Sequence, residues 1–357
     1  MIGRDRYSRA RQGSAKRAWM AAICAASAAL AMAGCAGKVP EVKAPPVPAE
    51  PPVILEAAQI DRILGSLADD LEAAAAEMNA EPLENRVGGA ALTMVTAQYA
   101  AKAANPDGEI FELGWKFADG CIVSLSREWP RSFVVVGESA EAEAPFIYQI
   151  QQADARSPYK LVAWARMLGG ADVPPAAAPG VGSPQVGVNS DDGLRLSPAA
   201  ALEAYAAAKQ NPTAEQATLF DTAHAPDQPD RDPARGYWNA LVQSLTAGVS
   251  ALDDHKLTQN VTAVEGSVFA VATADGGALV FGQVKSTIDL SFRPQEGASV
   301  LLSPKGYTGL GATTLTVQQS AYLEYLQTVV LAVPPAGGEG PVRVIAVADV
   351  PVLVSVK

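Results

Sequence analysis

The chain is poor in the residues that usually carry chemistry. It has three cysteines and two histidines among 357 residues. So few soft or imidazole ligands leave no set for a transition-metal site. A Ser-His-Asp triad would have to use His224 or His255, and no strained G-x-S-x-G turn is present. Both histidines read as bland: His224 in the loop "DTAHAPDQPDRDP", His255 just past a helix expected to end near Asp254. Aromatics are 6% of the chain, while Ala and Val are abundant, so the cores must be built of small side chains. No basic stripe is present either, which excludes an electrostatic footprint for nucleic acid.

What is present begins at the N-terminus. Arg4, Arg6, Arg9, Arg11, Lys16 and Arg17 face the single acid Asp5. An uncharged stretch, Ala18 to Gly34, follows, ending in small residues. This is the layout of an export signal, a little short for a bilayer span of about 20 residues. The basic end stays cytoplasmic, and the chain beyond Gly34 is expected outside. "Met32-Ala33-Gly34-Cys35", with Leu30 upstream, resembles the lipobox of bacterial lipoproteins, with Met where Leu is usual. The resemblance implies cleavage between Gly34 and Cys35 and a diacylglyceryl thioether on the Cys35 sulfur. Cys24 leaves with the signal, so Cys121 is the one free thiol and no intrachain disulfide forms.

Residues 35–54 then supply Pro40, Pro45, Pro46, Pro48, Pro51 and Pro52. Such a tether favours extended polyproline geometry at about 3.1 Å per residue, a spacer of roughly 50 Å. Removing six basic residues and one acid with the signal leaves 21 basic against 37 acidic, a net charge of −16. That balance repels anionic lipid, so the expected membrane partner is reached through the acyl anchor.

The body shows a faint duplication. "PYKLVAWA" (158 to 165) matches "PVRVIAVA" (341 to 348), and each follows a strand-like run, "FIYQIQQ" and "TVVLAVPP". The connecting loops are short, which is hairpin grammar. Ile60, Ile63, Leu64, Leu67 and Leu71 share their spacing with Trp238, Leu241, Val242, Leu245 and Val249, two apolar stripes at helical period. "SFVVVGES" (132 to 139), 284 to 292 and "TLTVQQS" (314 to 320) read as strands, and 268 to 282 as a hairpin around Asp275-Gly276-Gly277. The stretch "ALTMVTAQYA" (91 to 100), entered from Gly88-Gly89, leans to strand. Ser197 and Pro198 open a further helix ending before Asn211-Pro212. The Pro/Gly/Ala-rich stretch 169–196 reads as a linker. The expectation is an α+β protein: domain 1 over 55–168, domain 2 over 197–357, each with a helix on a curved antiparallel sheet.

That plan resembles the nuclear-transport-factor-2-like and cystatin-like classes. The chain also resembles an uncharacterised family of actinobacterial lipoproteins. The residues that carry this are the lipobox, the Pro tether, "WPRSFVVV" (129 to 136), "SPYKLVAWARML" (157 to 168), "TADGGALVFG" (273 to 282) and "VPPAGGEGPVRVIA" (333 to 346). The resemblance implies a location and a fold, and no mechanism.

Other candidates read as structural. Cys121 lacks a basic neighbour to activate its thiol and reads as a small buried hydrophobe. Asp191-Asp192 and Asp227, Asp230 and Asp232 lack the spacing of a calcium loop and read as solvated. "GYTGLGA" (306 to 312) is a turn. Trp238 lies on a helix stripe and reads as core. Trp164 falls on the opposite sheet face from its neighbours and is a weak ligand-binding candidate, with interface packing as the other reading. The expected function is a non-enzymatic, lipid-anchored envelope protein that needs no cofactor and binds a protein or small molecule. The alternatives are a pocket enzyme with a carboxylate or tyrosine base and a purely structural assembly protein.

Overall fold

Capping chemistry fixes where the helices begin. In α1 (Ala57–Glu77) the Gln59 side chain reaches back to the Glu56 N–H at 2.9 Å. Ile60, Leu64, Leu67, Leu71 and Ala74 are its buried stripe, and Met78 ends it in the left-handed region. α3 (Pro198–Gln210) is capped by Ser197, whose hydroxyl accepts from the Ala200 N–H, and stops at Asn211 before Pro212, as expected. α4 (Pro233–Val249) is capped by Asp232, whose carboxylate accepts from the N–H groups of Ala234 and Arg235 at 3.1 and 3.2 Å. This computed structural model describes residues 55–106, 116–126, 128–138, 144–178, 181–220, 232–304 and 314–357.

One expectation is corrected. The stretch 91 to 100 is not a strand but the body of α2 (Gly89–Ala104). Gly88-Gly89 starts a helix instead of a strand, and Ala90, Ala91, Met94, Val95, Gln98 and Tyr99 form two adjacent rows four residues apart. An Ala-rich run with that spacing buries one side as a helix and no single side as a strand.

The strands are β1 (Lys116–Leu125), β2 (Arg131–Glu138), β3 (Phe146–Gln152), β4 (Tyr159–Met167), β5 (Ser183–Pro184), β6 (Lys256–Ala263), β7 (Phe269–Ala272), β8 (Ala278–Ser291), β9 (Val300–Leu302), β10 (Leu315–Val317), β11 (Ser320–Val333) and β12 (Arg343–Val356). The α+β class holds, and the sheets of the two halves are one. Its order is β5-β1-β2-β3-β4-β12-β11-β8-β6, with β7 beside β8; β9 and β10 pair separately. The seam is short: Ala346 opposes Met167 and Val347 opposes Arg166. α2 covers it, with Met94 Sδ 3.8 Å from Thr328 Oγ1.

Strands β8, β11 and β12 are buried on both faces where they run side by side near 278–282, 328–333 and 344–350, and alternate beyond. Val330 and Ala332 enter one core with α1, α2 and β1 to β4; Val329, Leu331 and Val333 enter a second with α3 and α4. Near-continuous apolar runs such as "TVVLAV" follow from this double burial. α3 comes very close to the sheet: a methyl on Gly282 would stand 2.6 Å from Leu202 Cδ1.

Residues 169–196 do more than link. Ser183 and Pro184 pair with β1, while Gln185 bridges Val271 and the Val186 N–H reaches Ala270 O on β7 at 2.9 Å. The hydrogen-bonded path therefore returns to its start and the sheet closes on itself. The residues from Glu50 to Lys357 form one compact unit.

The duplication has a clear counterpart in the element order. Each half runs helix, 3₁₀ turn, helix and four-strand antiparallel meander, with β1-β2-β3-β4 matched by β6-β8-β11-β12. After the 3₁₀ turn at Glu81–Asn85, Val87 bridges Leu161 in parallel; after the one at Glu215–Leu219, Phe220 bridges Val342 in parallel. The hairpins thus hold equivalent places. The helices with matched stripes, α1 and α4, do not: by order α1 corresponds to α3 and α2 to α4.

Candidate functional site

The second core contains polar groups that the apolar pattern hides. Eight of the thirteen residues of α3 are buried, among them Tyr205 and Lys209 one turn apart. Lys209, Gln327, Asp349 and Asp232 are each 0% exposed. Lys209 Nζ donates to Gln327 Oε1 at 2.7 Å and lies 3.4 Å from both Asp349 oxygens. Gln327 Nε2 donates to Tyr205 Oη at 2.5 Å, and the Tyr205 hydroxyl donates to Asp232 Oδ2 at 2.6 Å. The donors all point one way, from ammonium to the carboxylate that caps α4. Such a chain polarises each member and strengthens the next.

The surroundings are apolar and aromatic. The Trp238 ring centroid lies 5.3 Å from Lys209 Nζ. Phe220 meets Tyr205 edge-on, with centroids 5.8 Å apart, and Tyr325 meets Trp238 likewise at 5.8 Å. Burial pushes the Tyr205 phenol well up, and the Asp232 charge adds to this, so the hydroxyl stays a donor. Burial also pushes the Asp349 carboxyl up, opposed by Lys209.

Trp238 connects this cluster to the surface. Its Nε1 donates to Gln259 Oε1 at 3.0 Å. Gln259 and Gln210 then exchange bonds, each side-chain amide donating to the other's main-chain carbonyl at 3.3 and 3.2 Å. Beside this pair lies an open cleft of about 500 Å³. Gln210, Asn211 and Pro212 form one wall, Asn239, Val242 and Gln243 of α4 the other, and Gln259 of β6 the floor. Five of the seven lining side chains are carboxamides and none is ionisable. Asp349 pairs with Lys209, Asp232 holds the Tyr205 hydroxyl and the start of α4, and none of them lines the cleft, which has no titratable side chain.

The residues singled out from the sequence are scattered. Gly34, Cys35, His224, Asp227, Asp230 and 306 to 312 lie outside the described residues. Trp164 is 0% exposed, edge-on to Phe146 at 6.1 Å, and belongs to the first core rather than an open concavity. Asp232, expected in a solvated loop, is buried as a helix cap. Cys121 is half-buried in β1, its thiol pushed up by burial. His255 is exposed, with Nδ1 2.8 Å from Leu252 O, beyond a helix that ends at Val249. Among the described residues no group of three or more His, Cys, Asp or Glu could hold a metal. The signal that would have found the cluster is Asp349, a lone acid inside the apolar run "VIAVADVPVLV".

Fold and cleft together define a two-repeat α+β body with a closed polar core and an uncharged surface groove. The chain belongs to a family described as a domain of unknown function, DUF8094, matched over residues 53–350 and so across both repeats. No curated protein and no solved structure matches it.

Proposed function

We propose that the protein is a lipid-anchored binding or scaffold module on the outer face of the cell membrane, without enzymatic activity. The observation that carries this reading is Cys35, placed directly after a basic, then apolar, then small-residue leader and before a proline-rich spacer. Two acyl chains on one sulfur meet the condition for stable anchoring, and the acidic body is kept from lying on the lipid by its charge. The paired state of the buried ionisable groups fits a structural role for them. The partner is a protein or small molecule of the envelope and not nucleic acid, given the mature net charge of −16.

The test is Cys35→Ser in the full chain expressed in a bacterium with lipoprotein processing. The wild type should sediment with membranes and partition into detergent, and the variant should appear in the soluble extracytoplasmic fraction. A variant that sediments as before would overturn the anchor.

A further inference from the structure

We propose that the cleft between the end of α3, α4 and β6 binds an uncharged, hydroxyl-rich ligand, a stretch of neutral polysaccharide. This rests on the reading of the body as a binding module and names what the module takes. The argument is one of complementarity. A charged ligand entering the cleft would lose hydration with no opposite charge to replace it, because none of the lining side chains is ionisable. An apolar ligand would strip water from the Asn239 and Gln243 amides on the α4 wall and leave them unpaired, while the Gln210 and Gln259 amides are already bonded within the protein. What suits a surface of side-by-side donors and acceptors is a ligand whose every group both donates and accepts, and hydroxyls do this.

Three details favour a sugar chain over a peptide. Asn239 and Gln243 stand one turn apart on α4 and present paired amides at a spacing that successive hydroxyls can bridge. Val242 and Pro212 give two small apolar contacts for the C–H face of a ring. A peptide adding to the β6 edge would need main-chain groups there, and the carbonyls of Gln259 and Gln210 are already taken by each other's side chains. A volume of about 500 Å³ falls in the range of small-ligand sites.

The experiment uses the full chain in detergent micelles and titrates neutral hexasaccharides of glucose, mannose, galactose, arabinose and N-acetylglucosamine, with hexagalacturonate and an uncharged Ser/Asn hexapeptide as comparators. Calorimetry reads affinity, and tryptophan fluorescence is a second reading, to which Trp238, bonded to the cleft floor, is one of five contributors. At least one neutral hexasaccharide should bind with a Kd below about 1 mM. The Asn239→Ala/Gln243→Ala double variant changes two helix-surface positions to the best helix former, so it keeps the fold. It should weaken that binding about tenfold or more. The proposal is overturned if no neutral hexasaccharide binds, if the double variant binds as well as the wild type, or if the uronate or peptide binds as tightly. Because the cleft is read in micelles, a negative result here leaves the Cys35 anchor standing, and loss of the anchor leaves this result standing.

Discussion

The two repeats share a frame and differ at two successive same-face cross-strand pairs. In the first hairpin Phe146 opposes Arg166, followed by Tyr148 opposite Trp164. At the equivalent place in the second, Gln327 opposes Asp349, followed by Val329 opposite Val347. The first repeat fills that space with rings: Phe146 stacks near Tyr148 and meets Trp164 edge-on. The second fills it with a hydrogen-bonded chain and seats a helix on it. α1 is amphipathic, burying five of 21 residues, while its counterpart α3 is buried on most sides and brings Tyr205 and Lys209 inward. The same backbone order therefore tolerates a dry aromatic filling or a polar one. They fail differently: the aromatic filling through cavities, the polar filling through orphaned charge.

That contrast can be broken most sharply by Lys209→Ala, which leaves Asp349 buried without its cation. The expected loss is about 3–5 kcal/mol in urea or thermal unfolding. Lys209→Met with Asp349→Leu in the same chain should recover most of it, since replacing a buried pair by apolar residues of similar size is often neutral. Trp164→Ala should cost about 3–5 kcal/mol through the cavity it opens, and no second polar change should rescue it. If single and double variants at 209 and 349 lose equally, the pair is not what the polar filling depends on.

A smaller effect is expected from Tyr205→Phe, which keeps the ring against Phe220 and removes the hydroxyl between Gln327 and Asp232. About 1–3 kcal/mol should be lost, measured by the urea midpoint. The pH dependence sharpens the same point. Asp349 is held above its ordinary value by burial, so the folded state keeps that proton after the unfolded chain has released it. Its contribution is complete below the unfolded value of about 4 and falls as pH rises through the folded value. Asp275, held down by the Thr273 hydroxyl and the Gly277 N–H, has the opposite sign and loses its contribution as pH falls. Melting temperatures of the wild type and Asp349→Asn between about pH 4 and 7 should show a flatter profile for the variant. The smallest change is Ser197→Ala, which removes the α3 cap at about 1 kcal/mol.

Much of this fold is legible in the sequence because periodicity reports burial directly. The stripes of α1 and α4, the 3.6-residue period of which is unambiguous, and the alternation along β8 mark elements without reference to partners. The Ser197-Pro198 cap likewise names its own helix start. α2 is misread because Gly-Gly punctuates strands and helices alike, and its buried rows are mostly alanine. The closing of the sheet through Gln185 and Val186 involves a short stretch pairing with two distant strands, which no local pattern encodes. The polar cluster is harder still. Lys209, Gln327 and Asp349 sit 22 to 140 residues apart, and a lysine in an alanine-rich helix looks like a solvated one. The cleft is invisible for another reason: Asn and Gln carry no periodic signal, and only the packing of α3, α4 and β6 gathers them.

Sheet closure has a further consequence for how copies behave when crowded. Nearly every long strand of the large sheet has a neighbour on each side, and β6 is the flank left over. Halfway along that flank the Gln210 side chain occupies the Gln259 carbonyl, one of the groups an incoming strand would seek. Among the described residues the long strands of the large sheet therefore leave an incoming strand little to pair with beyond this flank. Pairing the long strands in this way removes edges that would otherwise template strand addition, a geometric safeguard separate from the negative charge.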